Sequence, residues 1–215
     1  MISGELHELF RKDVGDTVAP YLWSEEEAYA YMNDAYVQFV RLTFGVSDVT
    51  SDVTQISVTA GEKYSELDPR ILKIRKATLL SNNRPVKIRN AGDGDEQPGD
   101  LAPGHVHSMI IGEQDDLCRW AQVPVTDDTV ALSVYRLPLN EITSDNDNFT
   151  DVRPHHHLHL MKWMKHLAYA KQDAETFDKS KSDQCKQEFE IYCAGAWREM
   201  ERQRSKVRTV KYGGL

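Results

Sequence analysis

The sequence predicts a mixed α+β fold, and three features of its hydrophobic pattern predict it. Helical periodicity with a full start signal occupies 24–43, the period changes to two over about 53–137, and two further helical runs fill 153–206. In that order the segments describe a helical bundle (about 24–43, 153–176 and 178–206) with an antiparallel β-meander inserted at about 53–137 and an extended C-terminal arm. The expected divisions are 1–52 for the first bundle helices, 53–140 for the β domain, 141–206 for the helical hairpin that completes the bundle, and 207–215 for the arm.

Residues 5–14 form a short amphipathic helix, with Leu6, Leu9 and Phe10 on one face, and the stretch from Gly15 to Pro20 breaks it. Ser24 with Glu27 three residues on is a capping box, and Glu25 and Glu26 add negative charge at the positive end of the helix dipole. Tyr31, Met32, Ala35, Tyr36 and Phe39 then recur at helical spacing, Trp23 is placed to pack on Ala28, and Gly45 stops the helix. Strands are expected at 55–59, 71–80, 86–89, 106–111, 117–123 and 129–135, with hairpin turns at 81–84, 113–116 and 126–128. The Gly-, Pro- and Asp-rich stretch 90–104 is expected to be a surface loop, and 141–151 a polar acidic linker. Pro154 suits the first turn of a helix over 153–176, and Asp178 caps a second reaching about 206. Cys185, Phe189, Cys193, Trp197 and Met200 make the buried stripe of that last helix.

The 215 residues are 40% hydrophobic and 28% charged, which suits a folded chain. No signal peptide or membrane span is recognisable, so synthesis in the cytoplasm of a host is expected, with Cys118, Cys185 and Cys193 as reduced thiols. The net charge of −8 argues against a general nucleic-acid binder. It is unevenly spread: residues 1–150 carry thirteen Lys/Arg against twenty-five Asp/Glu, net −12, and 151–215 carry thirteen against nine, net +4. A chain polarised in this way can stack head to tail on copies of itself or on a charged partner.

Catalytic signals are sparse. His155 and His159 lie four apart at a helix start and could share a metal, but no HExxH glutamate stands between them and no third ligand is evident. The 92–100 acidic loop lacks the residue order of a calcium loop, and Asn148-Phe149-Thr150 is a glycosylation sequon only by composition. Neither phosphate-binding glycine loops nor a nucleophile elbow occur. No enzyme, cofactor or metal site is therefore expected. A His-based metal-dependent enzyme and a DNA-binding module are the rivals to a structural role. The strongest interaction feature is basic: Arg198, Arg202, Arg204, Lys206, Arg208 and Lys211 fall within fourteen residues. Cations at a helix end explain Arg202 and Arg204. The alternation of Val207, Val210 and Tyr212 with Arg208 and Lys211 suits an extended arm that adds to a neighbour's sheet or groove.

The order of elements resembles the head-to-tail adaptor (connector) family of tailed bacteriophages. The resemblance covers most of 20–195. It is carried by Trp23-Ser24, Asn33-Asp34-Ala35, the Gly61 turn before Tyr64, Trp163 through Ala168-Tyr169-Ala170, Gln172-Asp173 and Asp178. It implies a virion protein of the neck, forming a ring of commonly twelve copies. The ring's partners are then the portal on one side and a tail nozzle, stopper or tail-tube protein on the other. Double-stranded DNA passes through the lumen without specific binding, and the net −12 of residues 1–150 suits a channel that repels phosphate. On this basis Arg202, Arg204, Lys206, Val207, Arg208, Val210, Lys211 and Tyr212 are expected to form a portal-contacting arm. Trp23, Tyr36, Trp163 and Trp197 are expected as inter-subunit or core anchors. Another neck ring, a stopper or a tail terminator, is the nearest alternative.

Overall fold

A computed structural model describes residues 1–92, 102–173 and 175–204. It shows a mixed α+β protein with four helices and a curled, antiparallel-rich sheet. The chain divides into two units, Met1–Phe44 with Asn140 onward, and Gly45–Leu139.

The first unit holds α1 (Ser3–Val14), α2 (Glu25–Leu42), α3 (His157–Ala170) and α4 (Lys179–Arg204). Helix α1 begins earlier than the periodicity suggests, because the Glu5 carboxylate accepts the Ile2 N–H at 3.1 Å. The break after α1 is itself structured. Buried Asp16 accepts the Leu22 N–H at 2.8 Å and pairs with Arg11 at 2.8 Å. Both bonds of the Ser24/Glu27 capping box form, at 3.1 and 2.9 Å. Trp23 packs edge-on against Phe10 with ring centroids 6.0 Å apart. Helix α2 stops because Phe44 and Gly45 both take left-handed backbone (φ +68° and +74°), and a Cβ at Gly45 would crowd the Arg136 backbone at 3.1 Å.

The 153–176 helix is shorter than expected. Pro154–His156 is a 3₁₀ turn, α3 ends at Ala170, and Lys171 is extended. Asp173 draws the Phe177 N–H to its carbonyl (3.1 Å) and the Glu175 N–H to its carboxylate (3.4 Å), which offers the backbone a turn in place of helix. Asp178 then accepts the Lys181 N–H at 3.0 Å and starts α4. In the α4 stripe Phe189 and Cys193 are buried, while Cys185, Trp197 and Met200 are half-buried. The 141–151 stretch packs rather than dangles, since Ile142 and Phe149 are buried.

The second unit holds β1 (Val46–Asp48), β2 (Gln55–Val58), β3 (Tyr64–Glu66), β4 (Ile71–Leu79), β5 (Pro85–Asn90), β6 (Pro103–Gly104), β7 (Ser108–Ile111), β8 (Leu117–Trp120), β9 (Val123–Pro124) and β10 (Asp128–Arg136). The inward faces of the long strands supply an aliphatic core of Ile56, Leu79, Val86, Val130, Leu132 and Val134, with Met109 and Trp120 filling it.

The sheet is not the sequential meander expected. Its order is β1-β10-β4-β5-β7-β8-β3, with β2 also on β10, while β6 and β9 make a separate parallel pair. Strand β10 is nine residues long and uses both edges, β1 and β2 end to end on one side and β4 on the other. Strands β5 and β7 run parallel. Alternation places a residue on a face and says nothing of which strand lies beside it. The three-residue strands β1 and β3 are too short to show a period.

Candidate functional site

The aromatic residues expected as anchors fall into two groups. Trp23 and Tyr36 are core. Tyr36 is edge-on to Phe149 (5.4 Å), its hydroxyl accepts the Asp151 N–H at 3.0 Å, and burial pushes its pKa up to about 12. Trp163 and Trp197 are half-buried. The Trp163 indole donates to Asp34 at 2.5 Å and its ring lies 5.1 Å from Phe189. Trp197 stacks on Phe44 at 5.9 Å, and Phe44 is itself 50% exposed. The Asn33-Asp34-Ala35 motif now has a physical meaning. Asn33 exchanges two 2.7 Å bonds with the Ile142 backbone, Asp34 holds Trp163, and Ala35 is fully buried.

The histidine run is a packing device. His155 is exposed, 4.0 Å from the His156 ring. His159 stacks on Tyr192 at 3.5 Å, turned into α4. His156 shares a 2.7 Å hydrogen bond with the Tyr192 hydroxyl and packs on Phe39. Burial, with the nearby His155 adding to it, lowers the His156 pKa to about 4 and keeps the ring neutral. Both His157 nitrogens face backbone carbonyls, Val152 at 2.8 Å and Met1 at 3.2 Å. Among the described residues no group of three His, Cys, Asp or Glu side chains could hold a metal. Burial also raises the Cys118 thiol to about 11 and Cys193 to about 12, which keeps both protonated and unreactive.

Of the arm, Arg202 and Arg204 are exposed in the last turn of α4. Lys206, Val207, Arg208, Val210, Lys211 and Tyr212 lie outside the described residues, as do 93–100 of the acidic loop.

Two charged surfaces of the β unit escaped the pattern analysis. The first is a groove of about 820 Å³ between β2 and β3, the two ends of the curled sheet. Asp52, Glu62 and Glu66 line it, are exposed, and make no ion pair among the described residues. Asp68 is there too, but Arg70 neutralises it at 2.6 Å and holds its carboxyl below the usual range. The second is the outer face of β4 and β5. Register with Tyr135 and Ser133 places Lys73 and Lys76 on that face, and Lys87 joins them because its neighbour Val86 pairs with Ala77 on the core face; all three are exposed and, among the described residues, make no ion pair. Arg75 lies among them, 5.1 Å over the Tyr135 ring. A signal for this face exists in the sequence: residues 71–90 hold six Lys/Arg and no Asp/Glu. The strongly acidic balance of 1–150 hides it.

Fold and surfaces together define an α+β protein whose conspicuous exposed features are charged faces suited to macromolecular contact. The chain belongs to the SU10 adaptor protein family, a phage head-to-tail adaptor family, whose model matches residues 1–211. No curated protein matches the chain significantly. Membership implies a structural phage protein. Among the described residues no helix is long and apolar enough to cross a membrane.

Proposed function

We propose that the chain is the adaptor ring of a phage neck, joining the portal to the tail and lining part of the DNA channel. The observation that carries this is the family match over 1–211, nearly the whole chain. In this proposal about twelve copies pack laterally through a bundle of α2, α3 and α4. A tail nozzle, stopper or tail-tube protein docks on the face away from the portal. The arm from Arg202 through Tyr212 contacts the portal. Exposed Arg202 and Arg204 support that assignment, as does the Trp197–Phe44 stack, since partly exposed aromatics and arginines are the residues that anchor interfaces. The acidic excess of residues 1–150 lets DNA pass without adhering.

Native mass measurement of the chain alone and mixed with its portal tests the ring. The expected result is a discrete oligomer on the portal, and a chain that stays monomeric in both samples defeats the proposal. Deleting 207–215 is expected to abolish capture by the portal in a pull-down. Undiminished capture removes the arm assignment and leaves the ring standing.

A further inference from the structure

We infer that the β unit carries its own head-to-tail interface. The acidic groove between β2 and β3 of one copy receives the basic β4–β5 face of a second copy. The inference rests on the ring proposal and adds to it the two surfaces that meet.

The topology places the surfaces on opposite walls. Around the curled sheet the strands run β2, β10, β4, β5, β7, β8, β3. The sheet nearly closes where β3 returns to β2, and there the Ser65 hydroxyl donates to the Ser57 carbonyl at 2.7 Å. No ladder joins these two strands, so the groove is an open seam. Strands β4 and β5 are third and fourth of the seven, which is the wall farthest from that seam. A ring needs two different, mutually complementary patches on opposite sides of each copy, so that each subunit meets one neighbour with one patch and the other neighbour with the second. The β unit has this arrangement within a single compact body.

The charges of the two walls are also opposite in sign. Among the described residues, Asp52, Glu62 and Glu66 on the seam have no ion-pair partner, nor have Lys73, Lys76 and Lys87 on the far wall. Two other carboxylates nearby are neutralised within the copy, Asp68 by Arg70 and Glu113 by Arg119. The carboxylates Asp52, Glu62 and Glu66 thus outnumber the one cation beside them, Lys63 over the Tyr64 ring, while the lysines of the far wall are joined by Arg75 over the Tyr135 ring. Against a second copy each set finds its opposite. Against itself each set repels, which fixes the polarity of stacking and disfavours face-to-face dimers. The charge asymmetry needed for head-to-tail contact thus lies across one unit, and does not require the acidic and basic halves of the chain.

Charge reversal tests this. Glu62→Lys with Glu66→Lys makes both walls basic, and Lys73→Glu with Lys87→Glu makes both acidic. All four positions are exposed, and circular dichroism checks that the variants fold. Native mass is measured at low and physiological salt, alone and on the portal. Each double variant is expected to associate with itself at least about tenfold more weakly than the unaltered chain. A 1:1 mixture of the two, and the chain carrying all four changes, are expected to regain assembly, because opposite signs again face each other. If both double variants assemble like the parent, the inference is overturned while the ring stands. If the parent itself never assembles, the ring proposal fails and takes the inference with it. Intact assembly in both variants, combined with salt-sensitive duplex binding that only the Lys73/Lys87 variant loses, overturns it in favour of a nucleic-acid face.

Discussion

The elements of the helical unit and those of the β unit start from interactions of different reach. In the helical unit the helix ends are closed by near neighbours, Ser24 with Glu27, Asp178 with Lys181 and Asp173 with Phe177, while Asn33, Asp34 and Tyr36 clamp segments far apart in the chain. In the β unit the most buried polar contact joins residues 88 apart, where Arg136, on the inner face of β10, donates to Asp48 of β1. Burial opposes the Asp48 charge. Hydrogen bonds from Ser51, Thr50 and Arg136 overcome it and hold the carboxyl far below the usual range. Local interactions shape a helix before it has packed. A buried pair across two strands exists only after the sheet has formed, so its loss is felt by the whole sheet.

The sharpest way to break this contrast is Asp48→Ala. It removes the carboxylate that pairs with the buried Arg136 guanidinium and frees the 48–51 turn, and it is expected to cost about 3–5 kcal/mol. Hydrogen exchange on the β10 amides is the measurement. Equal loss of protection in α2 and α3 contradicts a cost confined to the β unit.

Acid should separate the units next. His156 is neutral in the fold, with its pKa lowered to about 4, while an unfolded histidine binds a proton near its ordinary 6.5. The helical unit therefore has the full benefit above about pH 6.5 and loses it as pH falls toward 4, on the order of 2–3 kcal/mol. The Asp48 contribution is held over that range and is lost only as pH falls below the ordinary carboxylate value of 3.8. Denaturant titrations at pH 7 and pH 5 measure the loss, and His156→Gln is expected to flatten it. An unchanged slope in that variant rules out His156 as the source.

The smallest effect is the most local. Ser24→Ala removes one capping bond from α2 and is expected to cost about 1 kcal/mol, read as a drop in Tm. A cost several times larger would show that this cap does more than finish a helix end.

The same division decided what could be read in advance. Helix starts at Ser24 and Asp178, the strand character of 55–58, 71–79, 85–90, 108–111, 117–120 and 128–136, and the turn at 81–84 were legible, because each is written in neighbouring residues. The end of α3 was not, since Asp173 and Lys171 break a periodicity that runs through them. The Asn33–Ile142 clamp, the place of β10 between β4 and the β1/β2 edge, and the parallel β5–β7 pair were not, since each joins residues far apart in the chain. The histidine run was legible as chemistry but not as packing. Only Tyr192, brought alongside from α4, shows why His156 and His159 lie where they do.

By itself, then, the sequence determined the α+β class, the helix caps and the excess of cations near the C-terminus, all of which depend on spacing, charge and local hydrogen bonding. The tertiary structure alone decided that the sheet curls until β3 returns to β2, and that unpaired acids and unpaired lysines stand on opposite walls of it. Strand partners are chosen by long-range burial and closure of the core, and a period-two pattern carries no information about either.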